Sequence, residues 1–276
     1  MLLTRVITAV VLFAILSVAV SLGNHVLCAA MAVALAIVLF EWLSMTHMRK
    51  SVAGAISAVC AALAVGYALL DQMPDGIWFL ALELIACAVW MGLLGVTFVA
   101  RDRGFAVSDN TSYVLAALIV SATFFAMVWL VAKGGWQLML SVFMLVWLAD
   151  VCAYFAGRFF GKHRMAPAIS PKKTWEGAAG AFVSVALASL AAWLWLPHPM
   201  VFSSILMERA GFVAGILVVL LLVAISISGD LFESALKRHA GIKDSGKLLP
   251  GHGGFYDRLD AALAVFPCAV AALLVV

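Results

Sequence analysis

Long apolar stretches, separated by short polar connections, run from one end of the sequence to the other. Most are close to the roughly 20 residues that an α-helix needs to cross a bilayer core about 30 Å thick. The apolar runs predict nine helices, at about residues 5–21, 27–46, 52–70, 77–100, 113–132, 136–160, 177–196, 211–230 and 261–276. We therefore expect an all-α fold, a polytopic transmembrane bundle of about nine spans.

The composition also places the chain among membrane proteins. Hydrophobic residues make up 66% of its 276 residues and charged residues only 11%, whereas charged residues are about 25% of a soluble domain. The mean hydropathy is +1.15. These values exclude a soluble globular protein and leave little sequence for a separate soluble domain.

The basic residues are distributed unevenly between the predicted connections. Of the 17 Lys and Arg residues, all but Lys133 and Arg209 lie near the N-terminus or around the connections after the second, fourth, sixth and eighth predicted helices. In a bundle of nine spans, those connections lie on the same side as the N-terminus. Because cytoplasmic loops carry the excess of Lys and Arg, we expect the N-terminus to be cytoplasmic.

Polar residues follow the eighth predicted helix at helical spacing. If this helix continues beyond 230, Asp230, Glu233, Ser234, Lys237 and Arg238 lie on one face. An ordinary amphipathic helix end is the alternative. Acidic residues are disfavoured at the C-terminal end of a helix, and a carboxylate at the membrane boundary is costly. A functional face is therefore the interpretation that we favour.

A glycine-rich turn precedes the last predicted helix. The glycines of 251–254 surround His252, and such a turn exposes backbone N–H groups that can approach an anion closely. Taken alone, it would be an ordinary turn before a helix. Lys247 and Arg258 stand within six residues of it, so we interpret it as part of a phosphate site.

Three aspartates of this region offer oxygen ligands. Asp257 and Asp260 are three positions apart at the start of the last helix, hence on about the same side. A helix N-terminus favours carboxylates in any case. Together with Asp230, however, they resemble the carboxylates that bind Mg²⁺ beside substrate phosphates.

A second polar stretch runs from the end of the sixth predicted helix to the start of the seventh. Asp150 lies within an apolar span, where a carboxylate needs a partner. Downstream, Ser170, Pro171, Lys173 and Thr174 are typical of a turn followed by a helix cap, with Thr174 as the N-cap.

The residues of 234–260 form the pattern Ser234-x2-Lys237-Arg238-x4-Lys243-Asp244-x7-His252-Gly253-Gly254-x2-Asp257-Arg258-x-Asp260. This pattern resembles the signature of the phosphatidate cytidylyltransferases, also called CDP-diacylglycerol synthases. The run Ser170-Pro171-x-Lys173-Thr174 is similar to a second motif near the nucleotide site of that family.

The resemblance implies transfer of a cytidylyl group from CTP to phosphatidate, on the cytoplasmic side of a bacterial inner membrane. It implies Mg²⁺ as the cofactor, with a second cation left open, and is compatible with a homodimer; no nucleic acid is expected as a partner. We expect one membrane domain over 1–276, in which 1–135 forms a scaffold of N-terminal spans and 136–276 carries the active site.

The resemblance also implies residue roles. The residues expected to act in catalysis are Asp230, Lys237, Arg238 and Asp257. The expected substrate ligands are Ser170, Lys173, Thr174, Ser234, Lys243, His252, Gly253, Gly254 and Arg258. The expected metal ligands are Asp230, Asp257 and Asp260.

Two other functions stay open. A related membrane enzyme that uses CTP on another lipid, such as a polyprenol kinase, would share many of these features. A non-catalytic lipid or anion transporter would need the basic loops but not the three aspartates. Glu41 and Glu83, within the second and fourth predicted helices, either contact the site or hydrogen-bond a neighbouring helix, and we favour the second role.

Overall fold

The computed structural model describes residues 2–196, 200–251 and 253–276. Its helices are α1 (Leu2–Leu22), α2 (Asn24–Ser44), α3 (Lys50–Leu69), α4 (Gly76–Val99), α5 (Asp109–Phe160), α6 (Trp175–Trp195), α7 (Phe202–Ala210), α8 (Phe212–His239) and α9 (Tyr256–Val275). Within the described ranges, seven helices are long and apolar enough to cross a membrane, and α1 adds a shorter apolar run, Val6–Leu22. The predicted helical membrane bundle is confirmed at this level.

The long helix α5 is two helices joined at a glycine pair. Gly134 and Gly135 have non-helical backbone angles, and Gly135 has a φ of +67°, which a glycine adopts readily. A straight helix of 52 residues would be roughly 78 Å long. Yet the N–H of Ala168, eight residues after α5, donates to the carbonyl of Arg101, eight residues before it, at 3.2 Å. The chain therefore reverses direction at Gly134 and Gly135, between the predicted helices 113–132 and 136–160.

A two-stranded antiparallel sheet departs from the all-α prediction. Strand β1 (Arg164–Ala166) pairs with β2 (Ser170–Thr174), with Ala166 opposite Ser170. Pro167 and Pro171 flank the turn, and proline disfavours a continued helix. The segment therefore satisfies its backbone groups by strand pairing instead.

Several connections meet at one end of the bundle, which we call the polar end. It comprises residues 45–49, 100–108, 161–174 and 240–251. The hydroxyl of Thr8, near the start of α1, donates to the carbonyl of Pro250 at 2.9 Å. Nδ1 of His47 lies 2.7 Å from a carboxylate oxygen of Asp109. The start of α1 therefore lies at the same end as the two longest polar segments.

The short helix α7 lies at the opposite end and was not predicted. The N–H of Phe202 donates to the hydroxyl of Ser141 in α5 at 3.0 Å. Arg209 donates to the carbonyl of Leu273, near the end of α9, at 3.4 Å. Nine residues are too few to give a clear apolar period.

Buried aromatic rings join α2, α4, α8 and α9 beneath the polar end. Trp42 stacks on Tyr256 with ring centroids 4.9 Å apart and meets Phe232 edge-on at 5.7 Å. Trp90 meets the same phenylalanine at 5.7 Å. All four side chains are fully buried. This packing fixes the relative position of the helices that carry the polar residues described next.

Candidate functional site

Helix α8 continues well beyond Asp230, as the helical spacing predicts. It ends at His239, with Lys237, Arg238 and His239 in its last turn. Basic residues there stabilise the negative end of the helix dipole. Glu233 and Ser234 are buried against the bundle, whereas Arg238 faces outwards and is exposed.

Three carboxylates converge between α8 and α9. Asp230, Glu233 and Asp260 each offer an oxygen, and these oxygens all lie within 4.8 Å of one another. Glu233 is only 1% exposed, and its Oε1 has no hydrogen-bond partner among the described residues. A Cβ at Gly229 would lie 2.8 Å from the carbonyl oxygen of Asp260, so glycine permits this close approach of the helices.

This carboxylate group fits a divalent cation. Hard oxygen ligands are the ones that Mg²⁺ prefers, and an unpaired buried carboxylate oxygen needs a positive partner. The sequence predicted Asp230 and Asp260 as metal ligands, but it placed Glu233 only on the polar face of the helix. Its position three residues after Asp230, on the same helical face, was the available signal.

Asp257 lies outside this carboxylate group among the described residues. Its Oδ1 lies 2.7 Å from Nζ of Lys237, and its Oδ2 accepts hydrogen bonds from the N–H groups of Ser245 at 3.0 Å and Gly254 at 2.8 Å. The structure therefore places Asp257 as the anchor of the loop between α8 and α9, not with the other two predicted metal ligands.

Lys237 lies between Asp257 and the carboxylate group. Its ammonium lies 2.6 Å from Oε2 of Glu233 and 2.7 Å from Oδ1 of Asp257. The lysine side chain is 13% exposed, and the two carboxylates are 1% and 8% exposed. Two short contacts to carboxylates orient the ammonium and compensate its burial.

Lys173 of β2 reaches the same carboxylates from the other side. Its Nζ lies 2.7 Å from Oδ2 of Asp230 and donates to the carbonyl of Ile227 at 3.2 Å. Oδ1 of Asp230 accepts a hydrogen bond from Ser234 at 3.3 Å. Asp150, from α5, interacts electrostatically with both Asp230 and Lys173. Residues from β2, α5 and α8 therefore meet at one place, as the sequence motifs predict.

A cavity of about 370 Å³ lies beside this meeting point, between α5, α6, β2 and α8. Its polar lining consists of Asp150, Tyr154, Arg158, Ser170, Lys172, Lys173, Thr174 and Asp230. Ala153, Gly157, Gly177 and Ala181 line it with small side chains. The cavity thus combines cations and hydroxyls with an apolar wall, and Lys172 is a lining cation that the motifs did not single out.

Thr174 is the N-cap of α6, as predicted. Its hydroxyl accepts from the N–H of Gly177 at 3.2 Å. A Cβ at Gly157 would lie 2.9 Å from that hydroxyl oxygen, so glycine allows α5 to pass close to the cap. Thr174 also lines the cavity, and a hydroxyl that accepts one hydrogen bond can still donate another.

Glu41 of α2 binds residues on both sides of the glycine-rich turn. Its Oε2 accepts hydrogen bonds from the hydroxyl of Ser245 at 3.0 Å and the N–H of Tyr256 at 2.9 Å. The structural role favoured for Glu41 agrees with these bonds. Glu83 of α4 is 0% exposed, and neither of its carboxylate oxygens has a hydrogen-bond partner among the described residues.

Three predicted site residues lie at the protein surface. Arg238 lines a separate cavity of about 380 Å³ together with Arg103 and His239. Lys243 is exposed in the loop after α8. Arg258 is exposed and acts electrostatically on Asp150.

The glycine-rich turn is described only in part. His252 lies outside the described residues. Gly253 exchanges backbone hydrogen bonds with Leu249 at 3.0 and 3.1 Å, and Gly254 donates its N–H to Asp257. The sequence predicted that these two amides bind a substrate phosphate, but in this arrangement both donate to groups of the protein itself.

Comparison with known proteins adds an independent finding. The model of the cytidylyltransferase family matches residues 3–276. The chain is 33% identical over 233 residues to a phosphatidate cytidylyltransferase of Staphylococcus saprophyticus, covering 84% of this chain and 83% of that protein.

Two further relatives match over a shorter stretch. The chain is 43% identical over 133 residues to a phosphatidate cytidylyltransferase of Haemophilus influenzae, covering 48% of this chain and 44% of that protein. It is 40% identical over 145 residues to one of Pseudomonas aeruginosa, covering 52% and 49%. These two alignments span about half the length of each relative.

Proposed function

The chain belongs to the cytidylyltransferase family, and we propose that it transfers the cytidylyl group of CTP to phosphatidate, which gives CDP-diacylglycerol and pyrophosphate. The family match confirms the resemblance that the sequence motifs indicated. The relatives named above carry this activity in their names.

The position of Asp230 is the observation that supports this reaction. Asp230 belongs to the carboxylate group with Glu233 and Asp260 and also pairs with Lys173 at the wall of the cavity. Asp230 therefore belongs to the proposed cation site and also contacts Lys173, the ammonium that we propose to bind phosphate. Reactions between two phosphates need this combination, because negative charge must be neutralised on both reactants.

The reaction needs positioning more than acid–base catalysis. A non-bridging oxygen of the phosphatidate phosphate attacks the α-phosphorus of CTP, and the bond from this phosphorus to the oxygen that bridges to the β-phosphate breaks. The electron pair leaves with pyrophosphate, and no proton has to move. Lys173, with Lys172 and Arg158 at the cavity wall, binds phosphate oxygens and orients the reactants in line.

Asp230, Glu233 and Asp260 are the residues that would hold a divalent cation, which we propose to be Mg²⁺. A bound Mg²⁺ would supply charge stabilisation for phosphate oxygens and for the leaving pyrophosphate. Lys237 and Asp257 would keep Glu233 in position, since the ammonium contacts both carboxylates. We place Lys237 and Asp257 as positioning residues in this scheme.

The location of the cavity suits a lipid substrate. It is lined by polar residues of α5, β2 and α8 and by small apolar residues of α5 and α6. We propose that the phosphatidate headgroup occupies the polar part while its acyl chains stay in the bilayer. CTP then arrives from the aqueous side, where the basic loops of the polar end lie.

We further propose nine spans, with the polar end in the cytoplasm of a bacterium and the protein in its inner membrane. The excess of Lys and Arg around the polar end supports this orientation. An odd number of spans puts the C-terminus on the other side. A reporter enzyme that is active only outside the cytoplasm, fused after Val276, should be active; an inactive but intact fusion would contradict the orientation.

Two expectations from the resemblance remain proposals. One is the division into a scaffold, 1–135, and an active half, 136–276. Glu41 is an exception to it, because this residue of the first half is bonded to Ser245 and Tyr256 of the second. A homodimer is the other expectation, and cross-linking in native membranes would test it.

The activity can be tested on purified protein in detergent with Mg²⁺, CTP and phosphatidate. We expect release of pyrophosphate in equal amount to CDP-diacylglycerol, and much less with Asp230→Asn. The exposed Asp102→Asn, at the polar end but away from the cavity, is the matched control. CTP-dependent phosphorylation of a polyprenol would favour the kinase instead, and metal-independent lipid binding without turnover would favour the transporter.

A further inference from the structure

Glu41 belongs to the N-terminal half of the chain, but it is buried against residues of the C-terminal half. Its side chain is 2% exposed near the end of α2. Burying a carboxylate is costly unless hydrogen bonds compensate it. Its partners are the hydroxyl of Ser245 and the N–H of Tyr256, both on Oε2, at 3.0 and 2.9 Å. Ser245 lies in the loop that links α8 to α9, and Tyr256 is the first residue of α9.

Ser245 is also bonded to Asp257, the acidic partner of Lys237 in the first turn of α9. Ser245 donates its N–H to Asp257 at 3.0 Å, and its hydroxyl accepts from the N–H of Asp257 at 3.3 Å. Asp257 in turn lies 2.7 Å from Lys237, which contacts Glu233 at 2.6 Å. A continuous series of short contacts thus runs from Glu41 to a carboxylate of the candidate cation site.

The carboxylate of Glu41 lies close to the backbone of two glycines, Gly246 and Gly254. A Cβ added at Gly246 would lie 2.1 Å from its Oε1, and one added at Gly254 would lie 2.3 Å from its Oε2. Any larger residue at either position would push the carboxylate away. The loop therefore has glycine at the two positions that face Glu41. Glu41 itself lies on α2, 204 positions before Ser245.

We propose that Glu41 is a positioning residue for cytidylyl transfer, acting through Ser245 and Tyr256 to hold Asp257 and Lys237 in register with the carboxylate group. The inference rests on the proposed function. Glu41 does not touch the substrates; it holds the loop whose displacement would move Lys237. A misplacement of about 1 Å can cost on the order of a hundredfold in rate.

The first test is Glu41→Leu, which removes both acceptors while keeping side-chain bulk. We expect kcat for pyrophosphate release to fall by roughly 30-fold or more, the scale of a misaligned site, while KM for CTP changes by less than about threefold, since Lys173 is untouched. Glu41→Gln keeps one acceptor oxygen and should restore most of kcat.

Ser245→Ala provides a second, milder variant that keeps the bond from Tyr256. We expect an intermediate fall in kcat. Because both changes break the same link, the double variant Glu41→Leu with Ser245→Ala should be no slower than Glu41→Leu alone. If Glu41→Leu does not fold, Ser245→Ala and Glu41→Gln still decide the question.

Glu83→Leu is the matched control. Glu83 is also a fully buried glutamate of the N-terminal half, but its oxygens have no hydrogen-bond partner among the described residues. We expect normal kcat in this variant, which separates a positioning effect from a general effect of replacing a buried carboxylate.

The outcomes distinguish a failure of the proposed function from a failure of the role proposed for Glu41. If the wild-type protein releases no phosphatidate-dependent pyrophosphate, the proposed function fails. If the wild type is active but Glu41→Leu and Ser245→Ala have normal kcat per folded molecule, with only a lower melting temperature, Glu41 is merely structural and the inference is overturned. Equal losses of kcat in Glu41→Leu and Glu83→Leu would overturn it as well.

Discussion

Nζ of Lys237 lies 2.7 Å from Oδ1 of Asp257, and this ion pair joins the last turns of α8 to the first turn of α9. Both side chains are largely buried, at 13% and 8% exposure. Removing one partner of such a pair leaves a buried charge uncompensated, which costs about 3–5 kcal/mol when the pair is fully enclosed. The pair is therefore a sensitive point for both stability and activity.

Asp257→Asn should lower the rate of pyrophosphate release by roughly a hundredfold, the scale of a lost electrostatic contribution in a preorganised site. Asparagine can still accept hydrogen bonds from Ser245 and Gly254, but it no longer holds the ammonium of Lys237 by charge. Circular dichroism and the melting temperature in detergent check that the variant is folded. A rate close to that of the wild type would remove Asp257 from the active arrangement.

Lys173→Gln should raise KM for one of the two phosphate substrates and lower kcat/KM by about 10–100-fold. The ammonium contacts Asp230 and lines the cavity, and a charge-assisted hydrogen bond is worth about 1.5–3 kcal/mol. Steady-state kinetics with CTP and phosphatidate varied separately identify which substrate loses affinity. The control is Lys50→Gln, an exposed lysine at the start of α3, which should leave both KM values unchanged.

Removal of divalent cations by a chelator should abolish activity, and added Mg²⁺ should restore it. Glu233→Gln and Asp260→Asn should each raise the Mg²⁺ concentration for half-maximal activity by roughly 10–100-fold, because each removes a charged oxygen from the carboxylate group. Mn²⁺ binding, followed by electron paramagnetic resonance without substrates, measures the same loss independently of turnover. Unchanged metal dependence in both variants would place the cation elsewhere.

Gly254→Ala should destabilise the loop between α8 and α9. The added Cβ would meet Oγ of Ser245 at 2.2 Å and Oε2 of Glu41 at 2.3 Å, and overpacking of this kind costs about 1–3 kcal/mol. We expect a lower melting temperature together with reduced activity.

Gly92→Ala in α4 is the control for that variant. Among the described residues, no atom lies within 4 Å of the added Cβ apart from the chain neighbours of Gly92 and the backbone of its own helix. Alanine favours a helix by about 0.5–1 kcal/mol over glycine. Its melting temperature should stay the same or rise slightly. A fall of similar size in both variants would mean that close packing at Gly254 is not the cause.

The sequence by itself determined the long helices, because their signals are local, but not α7 or the two short strands. Apolar runs located the helices, including the reversal near Gly135. Helical spacing predicted the polar face of α8, and Thr174 identified the start of α6. Spacing in the chain decides which residues share a face, so the positions of Asp230 and Asp260 on their helices needed no tertiary information.

Only the tertiary structure decided which of these residues meet. It grouped Glu233 with Asp230 and Asp260, placed Asp257 beside Lys237, and turned Arg238 towards another cavity. The pattern in the chain predicted Asp230 together with Asp260, and Glu233 on the same face as Asp230. It did not predict that Asp257 would pair with Lys237. Each contact depends on how two distant helices are rotated and how closely they pack, and that is set by the whole core, not by neighbouring residues. Glu41, bound to Ser245 across 204 positions, is the clearest case.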